Sequence, residues 1–140
     1  MQVQVQPVQI VLVEDNPGDI ELVRVGFEDA RVANEIRVIS DGAEAMEFIN
    51  RGVDMPDIFL LDINLPKYSG FELLTAIRSN ESTKAIPVIM LTSSEAEQDV
   101  VKSYRYQANC YVSKPSDFDR FIEAIRSLEE FWLSVVKLPS

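Results

Sequence analysis

Short, unbroken apolar runs alternate with longer amphipathic stretches from one end of the chain to the other. The apolar runs lie at 8–13, 36–39, 58–61, 88–91 and 110–112. Bulky runs of this length, without polar interruptions, are typical of strands buried on both faces of a parallel sheet. The pattern therefore predicts five strands, and the run before Asp62 suits a strand buried on both faces.

The amphipathic stretches between these runs predict helices. The first helix is expected to begin at the turn 16–19 and to extend to about Ala33, and the last to begin near Ser116 and continue past Trp132. The others are predicted at 42–52, from 70 onward and at 95–107. Regular alternation of strands and helices implies right-handed crossovers with helices on both faces of the sheet. We expect an α/β fold with a doubly wound five-stranded parallel sheet in the order 2-1-3-4-5, a flavodoxin-like (βα)5 architecture.

Composition narrows the class of protein. With 140 residues, 46% of them hydrophobic and 26% charged, the sequence is that of one globular domain, which we expect to span 8–140 after a lead-in at 1–7, with no output domain. A formal charge of −10 argues against binding to nucleic acid. Cys110 is the single cysteine and histidine is absent, so we expect no internal disulfide and a cytoplasmic protein. No apolar run is long enough for a membrane span.

Polar residues follow four of the predicted strands at the same edge of the sheet. They are Glu14 and Asp15 after the first strand, Asp62 after the third, Thr92 after the fourth and Lys114 after the fifth. In the order 2-1-3-4-5 the first and third strands are neighbours at the switch point, where such folds bind ligands. Crowded carboxylates repel one another, and a hard divalent cation relieves the repulsion. Asp15 and Asp62, with a backbone carbonyl near Asn64, would suffice for Mg²⁺.

A carboxylate beside Mg²⁺, with an ammonium and a hydroxyl group nearby, is suited to phosphoryl transfer, in which the aspartate becomes an aspartyl phosphate. Each residue also has an ordinary structural explanation. Glu14 and Asp15 could cap the next helix, Thr92 could cap the helix after it, and Lys114 could be a surface lysine. The hypothesis depends on all of them occurring together at the strand ends.

The chain resembles the receiver domains of response regulators over nearly its whole length. The matching motifs are V-E-D-N at 13–16, D-I-N-L-P-K-Y-S-G at 62–70, L-T-S at 91–93 and Y-V-S-K-P at 111–115. The chain departs from the usual pattern at Gln107, where this family often has glycine. The family also usually has a cis bond at the position of Lys114-Pro115, which the residues alone do not predict.

The resemblance assigns a role to each strand-end residue. Asp62 would be the phosphoacceptor, Glu14 and Asp15 would hold Mg²⁺, and Lys114 would contact the phosphoryl group. Thr92 and Tyr111 would be a pair of switch residues that rearrange after phosphorylation.

The ending E-E-F-W-L-S-V-V-K-L-P at 129–139, together with A-N-C-Y at 108–111, is similar to the small regulators that serve bacterial and cyanobacterial phytochrome kinases. This similarity implies a sensor histidine kinase of the phytochrome type as partner. The apolar arc of the last helix is wider than one core-facing stripe requires, which favours a homodimer over coverage by the chain's own fourth helix. The candidate dimer residues are Leu128, Phe131, Trp132 and Val135.

The leading hypothesis is a single-domain response regulator that accepts phosphate from a kinase phosphohistidine and acts on an unknown downstream protein. It would assist its own phosphorylation and dephosphorylation without being a turnover enzyme. One alternative is a phosphatase of the aspartyl-phosphate type, but those enzymes carry the nucleophile after the first strand with a second acid two residues later, and position 64 here is Asn64. A flavodoxin-like cofactor binder would need a phosphate-cradling loop where this chain has 14–17.

Overall fold

The computed structural model describes residues 7–28, 33–93, 96, 110–113, 123, 126 and 127. The strands are β1 (Val8–Val13), β2 (Asn34–Ile39), β3 (Ile58–Asp62), β4 (Val88–Thr92) and β5 (Cys110–Ser113). The helices with described bounds are α1 (Pro17–Glu28), α2 (Gly42–Arg51) and α3 (Gly70–Ser79). Within the described part of the chain, no helix is long and apolar enough to cross a membrane.

All five strands form one parallel sheet in the order β2-β1-β3-β4-β5, which confirms the predicted topology. The register pairs Val13 with Leu61, and Asp62 with Leu91. The strand order reverses between β1 and β3. The carboxyl ends of these two strands therefore flank the switch point of the sheet.

Alternate residues of the central strands supply two separate core clusters. In β1, Val11 and Val13 belong to a cluster with Phe48 and Leu74. Ile10 and Leu12 belong to the other, which includes Val23 of α1 and, at partial burial, Phe27. Every residue of β3 is buried, as the unbroken apolar run predicts. The helices therefore cover both faces, and the sheet presents its strand ends as the accessible edges.

The sequence predicts that the first helix extends to about Ala33, and Ala33 itself is not helical. The helix is described to Glu28, and Ala33 instead lies at the entry to β2, where its carbonyl accepts a hydrogen bond of 2.9 Å from the backbone N–H of Val8. Strand β2 begins two positions before the predicted start at Ile36, because its pairing with β1 continues to Asn34 beyond the apolar run.

Part of the carboxyl-terminal prediction lies outside the described residues. That part comprises Gln107, Lys114, the Lys114-Pro115 bond, Leu128, Phe131, Trp132 and Val135. Ala96 is helical within the helix predicted at 95–107, and Glu123, Arg126 and Ser127 are helical and exposed within the last one. The homodimer surface stays a prediction.

Candidate metal and phosphoryl-transfer site

The structure brings Glu14, Asp15 and Asp62 together at the carboxyl edge of the sheet. One carboxylate oxygen from each residue lies within 4.8 Å of the others. Glu14 is 0% exposed and Asp62 is 2% exposed, whereas Asp15 is exposed. We call these three residues the acidic cluster. The sequence placed them at one edge, and the structure confirms that they are neighbours.

The donor set of the acidic cluster fits a hard divalent cation. Carboxylate oxygens are the ligands that Mg²⁺ takes from proteins, and Mg²⁺ needs only one or two carboxylates while it keeps several waters. Burial of two like charges is costly unless a counter-charge approaches them. The exposure of Asp15 leaves one side of the cluster open to solvent.

Backbone hydrogen bonds after β1 hold the buried carboxylate of Glu14. The N–H of Glu14 donates to the carbonyl of Ile39 at 3.2 Å, and the Glu14 Oε1 atom accepts from the N–H of Asn16 at 3.1 Å. The first turn of α1 is capped by Asn16, whose Oδ1 accepts from the N–H of Asp19 at 3.0 Å. Because Asn16 takes the capping role, Asp15 is not needed to begin the helix.

The third carboxylate is fixed by the loop after β3. Asp62 Oδ1 accepts from the N–H of Asn64 at 3.2 Å, and Asn64 Nδ2 donates to Ser93 Oγ at 3.4 Å. A side chain at Gly70 would overlap the carbonyl oxygen of Asp62, so α3 begins directly against the backbone of the strand end. Glycine at this position is therefore a steric requirement of the site.

A buried hydroxyl lies at the end of the neighbouring strand. Thr92 is 0% exposed, and its Oγ1 atom is buried without a hydrogen-bond partner among the described residues. Thr92 of β4 pairs with Ser113 of β5, the residue before Lys114. Tyr111, also on β5, is half-buried. The strand ends thus bring Thr92 to the edge that holds the acidic cluster, while the side chain of Lys114 lies outside the described residues.

Sequence reasoning missed an ion pair beside the site. Asp41 Oδ2 lies 3.5 Å from Lys67 Nζ, and Asp41 Oδ1 caps α2 by accepting from the N–H of Ala43 at 2.7 Å. The Ala43 N–H and, to a smaller extent, the Lys67 ammonium group hold the pKa of the Asp41 carboxyl below its ordinary value of 3.8. An Asp-Gly pair before an amphipathic stretch signals the cap. No local pattern signals a partner 26 positions away.

Comparison with known proteins agrees with this geometry. Residues 10–126 match the family model of the response regulator receiver domain. The response regulator Rcp1 of Synechocystis sp. is 37% identical over 139 residues, covering 96% of this chain and 95% of Rcp1. The Mn²⁺-bound form of Rcp1 superposes with a TM-score of 0.79, covering 96% of this chain and 100% of that structure.

Two further solved structures have similar folds. The phosphorylated cyanobacterial phytochrome response regulator RcpA has a TM-score of 0.80 at 38% identity, covering 96% of this chain and 100% of that one. The bacteriophytochrome response regulator RtBRR has a TM-score of 0.76 at 42% identity, covering 96% of this chain and 85% of that one. Matches of this extent, together with the acidic cluster at the switch point, establish that the chain belongs to the response regulator receiver domain family.

Proposed function

We propose that this protein is a response regulator of a two-component phosphorelay and that Asp62 accepts the phosphoryl group. The observation that carries the proposal is the acidic cluster, in which the carboxylate of Asp62 lies within 4.8 Å of two others at the open edge of the sheet. A carboxylate held in this way can attack phosphorus only if the charge around it is neutralised.

We assign Mg²⁺ as the neutralising ion, held by Glu14, Asp15, Asp62 and the backbone carbonyl of Asn64. When bound, the ion supplies positive charge to the oxygens of the transferring phosphoryl group. An Asp62 oxygen forms the new bond to phosphorus, the bond from phosphorus to the donor's imidazole nitrogen breaks, and the electron pair leaves on that nitrogen. Lys114 contacts the phosphoryl oxygens, and the same groups assist later hydrolysis. The Mn²⁺-bound structure of Rcp1 supports the assignment of a divalent cation.

Thr92 and Tyr111 form the switch pair in this proposal. The hydroxyl of Thr92 has no hydrogen-bond partner among the described residues, so a phosphoryl oxygen on Asp62 would give it one that exists only in the phosphorylated state. Movement of Thr92 toward that oxygen leaves space for Tyr111 to turn inward from its half-buried position. Phosphorylation then shifts the population between two arrangements of the same surface.

The partner that we assign is a sensor histidine kinase of the phytochrome type. Its support is the similarity of this chain to RcpA and RtBRR, which are phytochrome and bacteriophytochrome response regulators. We propose that the receiver domain spans 8–140, that it forms a homodimer through Leu128, Phe131, Trp132 and Val135, and that the phosphorylated form binds a downstream protein.

Incubation with acetyl phosphate and Mg²⁺ tests the phosphoacceptor. The wild type should gain the mass of one phosphoryl group, and hydroxylamine should remove that group because it cleaves acyl phosphates. Asp62→Asn should gain none. Asp57→Asn is the matched control, since Asp57 lies at the other end of the same strand and should leave uptake unchanged.

Uptake of a phosphoryl group by Asp62→Asn would refute the assignment of Asp62 as the phosphoacceptor. The same experiment separates the alternative classes. A phosphatase of the aspartyl-phosphate type would release phosphate continuously from a substrate, and a flavodoxin-like cofactor binder would gain no phosphoryl group at all. The loop after β1 argues against the cofactor binder, because it supplies carboxylates where a cofactor phosphate would have to bind. The phosphatase is disfavoured because the candidate nucleophile Asp62 follows β3 and position 64 is Asn64.

A further inference from the structure

The loop between Asp62 and α3 contains a tight turn centred on Lys67. The backbone N–H of Tyr68 donates to the carbonyl of Pro66 at 2.9 Å, and Lys67 between them has a φ of +71°. A hydrogen bond from residue i+2 to residue i around a positive φ is the pattern of the strained form of the γ-turn. A residue with a side chain keeps such a conformation only where its surroundings hold it.

Two contacts with the start of α2 hold this turn. A Cβ atom added at Gly42 would lie 2.9 Å from the carbonyl oxygen of Pro66 and 3.0 Å from that of Tyr68, so the loop backbone rests directly on the first residue of the helix. Beside this contact, Lys67 Nζ lies 3.5 Å from Asp41 Oδ2. Asp41 is the cap of α2, so the ion pair joins the turn to a fixed point of the fold.

The turn lies in a short closed loop that begins directly after Asp62 of the acidic cluster. Its ends are joined by a hydrogen bond of 3.0 Å from the N–H of Gly70 to the carbonyl of Ile63. Asn64 near the start of the loop donates its backbone N–H to Asp62 Oδ1. Pro66 has a fixed φ, and each other residue has only two soft dihedral angles. A displacement of the turn can therefore be transmitted along the chain to Asn64, three positions before Lys67.

We propose that Lys67 is a positioning residue for the phosphoryl site, acting through its ion pair with Asp41. The pair holds the turn against α2 and thereby fixes Asn64 beside Asp62. In that position the backbone carbonyl of Asn64 can act as a ligand of a divalent cation. This inference rests on the proposed function, because it concerns the geometry of the same site. Lys67 touches neither the metal nor the phosphoryl group in this scheme.

The exposure of the pair sets the size of the expected effect. The side chains of Lys67 and Asp41 are 65% and 43% exposed. Exposed pairs of this kind change an equilibrium by roughly two- to fivefold, and the effect decreases with salt. At about 1 M salt the screening length falls to about 3 Å, which is shorter than the separation of the two charges.

The test uses Lys67→Gln and Asp41→Asn, with Mn²⁺ as the probe. Asparagine caps helices as well as aspartate does, so Asp41→Asn removes the charge and keeps α2 capped. The matched controls are Lys84→Gln and Glu81→Gln, which break an exposed ion pair of 2.8 Å in the loop after α3 with the same changes in net charge. The dissociation constant of Mn²⁺ is measured from the electron paramagnetic resonance signal of the free ion, and thermal melts check that each variant is folded.

The direction in which Lys67→Gln changes Mn²⁺ affinity distinguishes a positioning role from a general electrostatic effect of the protein's net charge. Loss of a positive charge alone would strengthen the binding of a cation. We expect the opposite result, in which Lys67→Gln binds Mn²⁺ two- to fivefold more weakly than the wild type at low salt. Asp41→Asn should weaken binding by a similar factor. The double variant should bind Mn²⁺ no more weakly than either single variant. The ratio to wild type should fall toward one near 1 M salt, and the control variants should not weaken binding by this amount.

Equal or tighter Mn²⁺ binding by Lys67→Gln would overturn the role of Lys67. That result would leave the proposed function in place as long as the wild type binds Mn²⁺ and Asp62 takes up phosphate. A wild type that binds no Mn²⁺ would overturn both proposals, whereas Mn²⁺ binding with phosphate uptake by Asp62→Asn would refute the phosphoacceptor alone.

Discussion

Asp57 immediately precedes β3 and Asp62 is its last residue, and the two aspartates have opposite surroundings. At the amino edge, the exposed Asp57 accepts a hydrogen bond of 2.8 Å from the backbone N–H of Gln9, and its own N–H donates to the Gln9 carbonyl at 2.8 Å. At the carboxyl edge, Asp62 is buried and lies within 4.8 Å of the carboxylates of Glu14 and Asp15.

The same contrast extends to other polar groups at the two edges. Near the amino edge, Arg78 Nη1 donates to the carbonyls of Ile86 at 2.7 Å and Lys84 at 3.2 Å, and burial lowers the pKa of the Arg78 guanidinium. The buried Thr83 hydroxyl donates to the carbonyl of Ile77 at 2.6 Å. The buried Thr92 hydroxyl at the carboxyl edge has no such partner among the described residues. The amino edge pairs its polar groups with backbone partners, whereas the carboxyl edge brings three carboxylates together.

The largest expected difference between the edges is in stability without divalent ions. Asp62→Asn should raise the free energy of unfolding by about 1–3 kcal/mol, because two unit charges about 5 Å apart repel by roughly 3 kcal/mol at an effective dielectric constant near 20. Asp57→Ala should lower it by about 1 kcal/mol, because the N–H of Gln9 loses its charged acceptor. Urea denaturation in the presence of a chelator measures both changes.

Changes of opposite sign in the free energy of unfolding of Asp62→Asn and Asp57→Ala would confirm that the acidic cluster opposes folding when no cation is bound. Asp57→Asn serves as the control for charge alone, because asparagine can still accept from Gln9. If Asp62→Asn were as destabilising as Asp57→Ala, the charge of Asp62 would already be compensated within the chain, and the contrast between the edges would be wrong.

A smaller difference is expected between two buried hydroxyls. Thr83 and Thr92 are both 0% exposed, and valine has nearly the same shape as threonine without the hydroxyl. Thr83→Val should lower the free energy of unfolding by about 1–2 kcal/mol, because it leaves the carbonyl of Ile77 without its donor. Thr92→Val should instead raise it, by up to about 1 kcal/mol, because it removes a buried hydroxyl that has no hydrogen-bond partner among the described residues.

Urea denaturation again provides the measurement, and both variants should keep the phosphate uptake that Asp62 performs. An equal loss of stability in Thr92→Val and Thr83→Val would mean that the Thr92 hydroxyl is already engaged in the resting state. It would then be unavailable for the phosphoryl group, and the switch pair would need another explanation.

The features that the sequence predicts well are those set by long patterns. The buried run of β3 predicts a central strand, and a central parallel strand places Asp62 at the edge where β1 ends with Glu14. Alternating strands and helices leave few topologies, so the acidic cluster follows from the strand order. The neighbourhood of Asp62 was thus predictable without knowledge of any contact.

The features that the sequence did not predict depend on a contact with one distant residue or on hydrogen bonding between strands. Lysine rarely adopts positive φ, so nothing in the local sequence marks Lys67 as the centre of a turn. Its ion pair with Asp41 requires the meeting of two loops that lie 26 positions apart. Likewise, Ala33 and Asn34 follow a helical stretch in sequence, but pairing with β1 brings them into the sheet.

The stabilisation by Mg²⁺ of the wild type, Asp62→Asn and Asp57→Asn tests the central claim most directly. A cation that binds only the folded protein raises the free energy of unfolding by about 1.4 kcal/mol for each tenfold increase in its concentration above the dissociation constant. We predict this increase for the wild type and Asp57→Asn, and a much smaller one for Asp62→Asn at the same concentrations. Equal stabilisation of Asp62→Asn and the wild type would contradict the assignment of the acidic cluster as the metal site.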